Sequence, residues 1–171
     1  MKKIIFSMVI FVCSLCANAQ GLGSYDSDAK RYGRGFDHAV SLFLQDGWGI
    51  GYDLRYNFNE YVALDVAGVN MHSRFDSPEE WCQLNIRLGG LRCYTPNWNM
   101  IRAYTNFDLG YTMIHAYGED ETHHFGFDFG VGIQVHKSIT FGYNLNCVAE
   151  NNVGNTGSIT MSHWARIGFV F

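Results

Sequence analysis

The chain has 171 residues, a formal net charge of −4, and only 16% charged residues against 16% aromatic ones. That length holds one domain comfortably and two only poorly. The acidic balance argues against a nucleic-acid partner, and the charged fraction lies well below the roughly 25% usual for a soluble domain.

The chain opens on a leader. Met1-Lys2-Lys3 is a short basic start, and residues 4–17 are apolar apart from Ser7 and Ser14. Ala17 and Ala19 then put small residues at the two positions a signal peptidase reads. This is the layout of a cleaved secretory signal over 1–19, with Gln20 as the new N-terminus. The apolar stretch is shorter than the ~20 residues of a spanning helix. Cys16 follows Leu15, where a lipoprotein signal requires a small residue. Residues 20–37 are polar and glycine-containing and read as a periplasmic lead-in.

Beyond the leader the dominant signal is alternation. Over 48–58, Trp48, Ile50, Tyr52, Leu54, Tyr56 and Phe58 alternate with Gly49, Gly51, Asp53, Arg55 and Asn57. Successive strand side chains point to opposite faces, so one face is apolar and the other small, polar or charged. Weaker alternation covers 38–45, 61–71 and 81–94, the last with a phase slip near Gly89-Gly90 that marks a β-bulge. Strong alternation returns over 101–113, 125–135, 139–147 and 159–171. The total is eight strands of about the ten-residue length that a tilted membrane strand needs.

The connections alternate too. Those near 57–60, 95–99 and 136–138 are short, whereas 72–80, 115–124 and 149–158 are longer and more polar. The early connection around Asp46-Gly47 is the one short exception on the long-loop side. Short periplasmic turns and longer outside loops are the habit of an outer-membrane barrel. Alternation by itself leaves open which face is inside. Many glycines on the polar face suit the crowded bore of a small barrel, and aromatics near strand ends suit interfacial girdles. The predicted fold is all-β: an eight-stranded, antiparallel, up-and-down transmembrane β-barrel over 38–171.

The polar face collects Asp53, Arg55, Asp65, Arg87, Arg102, Asp108, Asp128 and Arg166. Buried charges are costly unless paired, so these eight are expected to form a lumenal network that plugs the bore rather than a narrow pore. A second cluster, His115, Glu119, Asp120, Glu121, His123 and His124, offers divalent-cation ligand types. Its spacing matches no defined site, and a solvated acidic loop explains it more simply. Cys82, Cys93 and Cys147 are an odd number without zinc-type spacing, which argues against both a complete disulfide framework and a metal site.

The eight strands and the terminal run Trp164-Ala165-Arg166-Ile167-Gly168-Phe169-Val170-Phe171 resemble the small outer-membrane barrels of the OmpA/OmpX type. The resemblance covers nearly all of the mature chain. It implies that Phe169 and Phe171 serve as the signal for the outer-membrane assembly machinery. It also implies contact with outer-membrane lipid and lipopolysaccharide and a monomeric state. Larger members carry a peptidoglycan-binding domain after the barrel; with Phe171 ending the run, cell-wall binding is not expected here. One family of barrel enzymes removes lipid A acyl chains with a His-x-Ser pair near the outer leaflet. The match here, His136-Lys137-Ser138, falls on a predicted periplasmic turn, and His72-Ser73 has the wrong spacing. His163 is aimed at lipid by the alternation and reads as a neutral imidazole near the interface. The expected function is therefore a non-enzymatic structural or adhesin-like role through outside loops, without a cofactor. The alternatives are a lipid A-modifying enzyme or a narrow, porin-like pore.

Overall fold

The computed structural model describes residues 34–44, 47–74, 81–98, 100–116, 121–150 and 158–171. The leader over 1–19 and most of the lead-in lie outside the described residues. Eight strands follow one another: β1 (Gly35–Leu44), β2 (Gly47–Asn57), β3 (Val62–Arg74), β4 (Trp81–Tyr94), β5 (Ile101–Ala116), β6 (Thr122–Val135), β7 (Ile139–Glu150) and β8 (Ser158–Val170). Each pairs antiparallel with the next, and β1 closes on β8 through Ala39↔Val170 to Leu44↔Ala165. Beyond β8, Phe171 exchanges two backbone hydrogen bonds with His38, at 2.9 and 3.0 Å.

The two faces segregate as the alternation requires, and the apolar one is outside. Leu109, Phe125, Ile159 and Met161 are among the most exposed side chains, whereas four aspartates and five arginines of the inner face are buried. A soluble barrel has the opposite polarity. An apolar wall around a polar interior is stable when the wall faces lipid, and closure into a ring leaves no open sheet edge for lipid to meet.

Two bulges explain why the alternation fades in β3 and β4. The register of β2 on β3 passes from Leu54↔Ala67 to Arg55↔Asp65, so β3 carries an extra residue. The register of β4 on β5 passes from Arg87↔Gly110 to Gly89↔Leu109, which leaves Leu88 unmatched. The two extra residues lie side by side, so the β3–β4 register itself does not change: Asp65↔Gly90 and Gly68↔Arg87 belong to one ladder. Gly89 takes φ +149°, a conformation that favours glycine.

The strands extend further than the sequence pattern suggests. β1 starts at Gly35 instead of 38; β3 reaches Arg74, β5 reaches Ala116, β6 starts at Thr122 and β7 reaches Glu150. The polar segments assigned to long loops are thus partly strand, because backbone pairing continues past the end of the apolar belt. The opposite rim carries the tight turns. At one of them Asn59 Oδ1 accepts the backbone N–H groups of Tyr61 and Val62 at 2.8 and 2.9 Å, a side-chain mimic of a backbone turn. At another, His136 and Lys137 both adopt positive φ.

Candidate functional site

Nine charged side chains enter the bore from six of the strands. β2 supplies Asp53 and Arg55, β3 Asp65, β4 Arg87 and Arg92, β5 Arg102 and Asp108, β6 Asp128, and β8 Arg166. None of these nine is more than 3% exposed. Several inward glycines make room for them, because a small barrel cannot hold a long side chain at every inward position.

Asp53 is the most connected acid. Its Oδ1 lies 2.5 Å from Arg87 Nη2, its Oδ2 lies 3.6 Å from Arg55 Nη2, and Arg166 Nη2 bonds directly to the same Oδ2. One carboxylate therefore ties β2 to β4 and β8 through the interior. Asp65 is the second centre. Arg92 grips it through Nε, 3.2 and 3.1 Å from its two oxygens, and through Nη2 at 2.9 Å. Arg55 Nε stands 3.4 Å away on the other side. This forked geometry is the strong form of an arginine–carboxylate pair.

The remaining members differ in their partners. Arg87 Nη1 lies 3.6 Å from Asp108 Oδ2, and Asn106 Nδ2 donates to the same oxygen at 2.6 Å. Among the described residues Asp128 takes a hydrogen bond from Asn146 Nδ2 at 3.0 Å and makes no ion pair with an arginine. Arg102 donates to Gln134 Oε1 at 2.9 and 2.7 Å and to the Glu60 carbonyl at 2.8 Å, and its guanidinium lies 3.5 Å from the centre of the Tyr94 ring. An amide thus stands beside Asp128 where an arginine is expected.

Aromatic side chains lie in the bore toward both rims. Toward the long loops, Phe43 meets Trp164 at a ring separation of 5.7 Å, and His72 meets Trp164 at 6.0 Å. Toward the short turns, Tyr94 and Tyr104 stand 6.3 Å apart, with Arg92 over the Tyr104 ring at 4.7 Å.

The acid–histidine cluster is divided by the strands. Glu119 and Asp120 lie outside the described residues, and Glu121 is exposed just before β6. His115 belongs to β5, and His123 and His124 to β6, so none of the three histidines is in a loop. His123 stacks on Tyr111 at 5.9 Å on the outer wall, and His124 points the other way, with Nδ1 at 3.2 Å from the Ala149 carbonyl. Neighbouring strand residues diverge. Among the described residues no group of three His, Cys, Asp or Glu side chains could hold a metal ion.

No protein-family model matches the sequence, and no curated protein matches it either. Solved structures do match. Neisserial surface protein A superposes with a TM-score of 0.58 at 13% identity, over 79% of this chain and 92% of that one. The N-terminal β-barrel domain of Pseudomonas aeruginosa OprF superposes with a TM-score of 0.54 at 11% identity, over 81% of this chain and 98% of that one. The chain has the fold of the small eight-stranded outer-membrane barrels.

Within this outer-membrane barrel fold, the sequence pattern overlooks one charged residue of the interior. Arg92 falls on the apolar phase if alternation is carried unbroken from Gln83, Asn85 and Arg87. The bulge at Leu88 shifts the count by one, which turns Arg92 and Tyr94 inward. Restarting the alternation after Gly89-Gly90 would have found it.

Proposed function

We propose that the chain is exported by its leader, assembles in the outer membrane, and acts there as a non-enzymatic surface barrel whose long loops meet the outside. The observation that carries this reading is the polarity of the wall: apolar side chains cover the outside while nine charged residues are buried within. In water that arrangement exposes what should be hidden; in lipid it is the stable one. Phe169 projects from the wall, and Phe171 is held against β1 at the rim that carries the short turns. Both are positioned to be read by an assembly machinery, and the wall between the rims by outer-membrane lipid, including lipopolysaccharide. A bore crossed by ion pairs, with aromatic pairs toward both rims, supports a structural or adhesive role over a conducting one. What remains free to recognise another molecule is the loop-side rim.

The test is cell fractionation combined with surface labelling. The protein should sediment with outer membranes and change its gel mobility on boiling. An epitope inserted at Gly118 should bind antibody on intact cells. Recovery as a soluble periplasmic species would sink the membrane reading. An epitope detected only after permeabilisation would reverse the orientation.

A further inference from the structure

Two polar side chains stand in the outer wall where apolar ones are the rule. Tyr143 on β7 and His163 on β8 are both exposed and outward-facing. Tyr143 Oη lies 2.7 Å from His163 Nδ1, and their rings are 5.7 Å apart. They are diagonal neighbours: Leu145 pairs with His163, and Ala165 with Tyr143. The pair stands midway along the wall. Met161 and Ile159 continue the exposed apolar face toward the long loops, and Ile167 and Phe169 continue it toward the short turns. Two other histidines that meet tyrosines on the wall lie near its rims. His123 is at the start of β6 beside the long loops, and His38 stacks on the terminal Phe171.

The pair is half satisfied whichever way its proton lies. If Tyr143 donates to Nδ1, the Nε2–H is a spare donor and the phenolic oxygen a spare acceptor. If Nδ1 donates to Tyr143, the phenolic O–H is the spare donor and Nε2 the spare acceptor. Either tautomer leaves one donor and one acceptor on the same patch. Hydrocarbon at this depth supplies a partner for neither, and an unsatisfied polar group there is expensive. Polar groups of that depth are carried by protein and pair with one another.

A second copy of this chain carries the matching set. Two barrels inserted in the same direction are related by a two-fold axis along the membrane normal, and a two-fold contact sets one patch against itself. The spare donor of each copy then meets the spare acceptor of the other, so two hydrogen bonds form together. The wall beside the pair is low enough for the approach. Ala165 is exposed, with Tyr143 opposite it on β7 and Leu44 opposite it on β1. Within membranes, small residues admit close approach of two backbones, and histidine bonds across the contact.

We propose that the β7–β8 face of the wall is a homodimer interface within the membrane, centred on Tyr143, His163 and Ala165, where the polar pairs of two copies exchange two hydrogen bonds. This departs from the monomeric state that the resemblance implies. It rests on the reading that the wall faces lipid, and its test separates the two. Refolded barrels carrying a donor or an acceptor fluorophore on an N-terminal tag are reconstituted together in vesicles of diacyl phosphocholine. Energy transfer is followed as added lipid dilutes the protein. Unmodified protein should show transfer above random encounter, rising linearly with the acceptor fraction, as pairs require. His163→Leu should raise the dissociation constant roughly tenfold, the effect of two hydrogen bonds within a membrane. Ala165→Phe keeps the polar pair but raises the wall beside it, and should weaken pairing too. Pairing that either change leaves at the parent's strength overturns the proposal. Unmodified protein that shows only random transfer also overturns it, and leaves the pair to a partner of another sequence. Barrel closure is read independently by the gel shift on boiling. A chain that never shows the shift overturns the membrane reading, and this inference with it.

Discussion

Asp53 and Arg87 meet across an empty position: they sit on β2 and β4 in one row with Gly68 of β3 between them, and their charged atoms are 2.5 Å apart. A Cβ on Gly68 would lie 2.9 Å from Asp53 Oδ1 and 3.1 Å from Arg87 Nε. The missing side chain is what allows the ion pair to bridge the middle strand. Gly68→Val should therefore destabilise the barrel by about 1–3 kcal/mol, the usual range for overpacking a filled interior. Urea unfolding in lipid vesicles measures it, and a midpoint equal to the parent's would show that the pair has slack to yield.

Arg92 holds Asp65 with three contacts and is buried to 1% exposure. Removing one partner of such a pair strands the other charge. Arg92→Ala and Arg87→Ala should each cost about 3–5 kcal/mol. Arg92→Lys should recover part of the loss, because an ammonium keeps the charge but not the fork. If Arg92→Ala unfolds at the same denaturant concentration as the parent, the network does not hold the barrel together.

Leu109 is 58% exposed in the middle of β5. On a water-facing surface an arginine there would change little. Against lipid, Leu109→Arg should cost about 2–4 kcal/mol. Comparing its unfolding midpoint in vesicles with the parent's decides which medium the wall meets; a neutral outcome contradicts the membrane reading.

Ion pairs cross the bore, and aromatic pairs lie toward both of its rims. The reconstituted protein should pass no steady ion current across a planar bilayer. Trp164→Ala alone should leave it closed, because the Tyr94 and Tyr104 layer remains. A steady current through the unmodified protein would favour the narrow-pore alternative.

The sequence by itself determined the strand count, the alternating lengths of the connections and the composition of each face. All three follow from local periodicity: a strand side chain reverses direction at every residue whatever its neighbours do. That is why the eight charged candidates, all read from the polar phase of a strand, are all buried inside. Tertiary structure decided the rest. Alternation is blind to which face is inside, and only closure of β1 on β8 turned the charged face inward. The bulges of β3 and β4 reverse the phase partway along a strand, and they show as register shifts between strands. Arg92 came to light only through that shift. Partner choice was equally beyond the sequence. Asp128 bonds Asn146, whereas Asp53 gathers three arginines, because the relative stagger of strands sets which inward residues share a level of the barrel. The same stagger put Tyr143 beside His163 on the outer wall, a contact between residues twenty positions apart that no period within either strand contains.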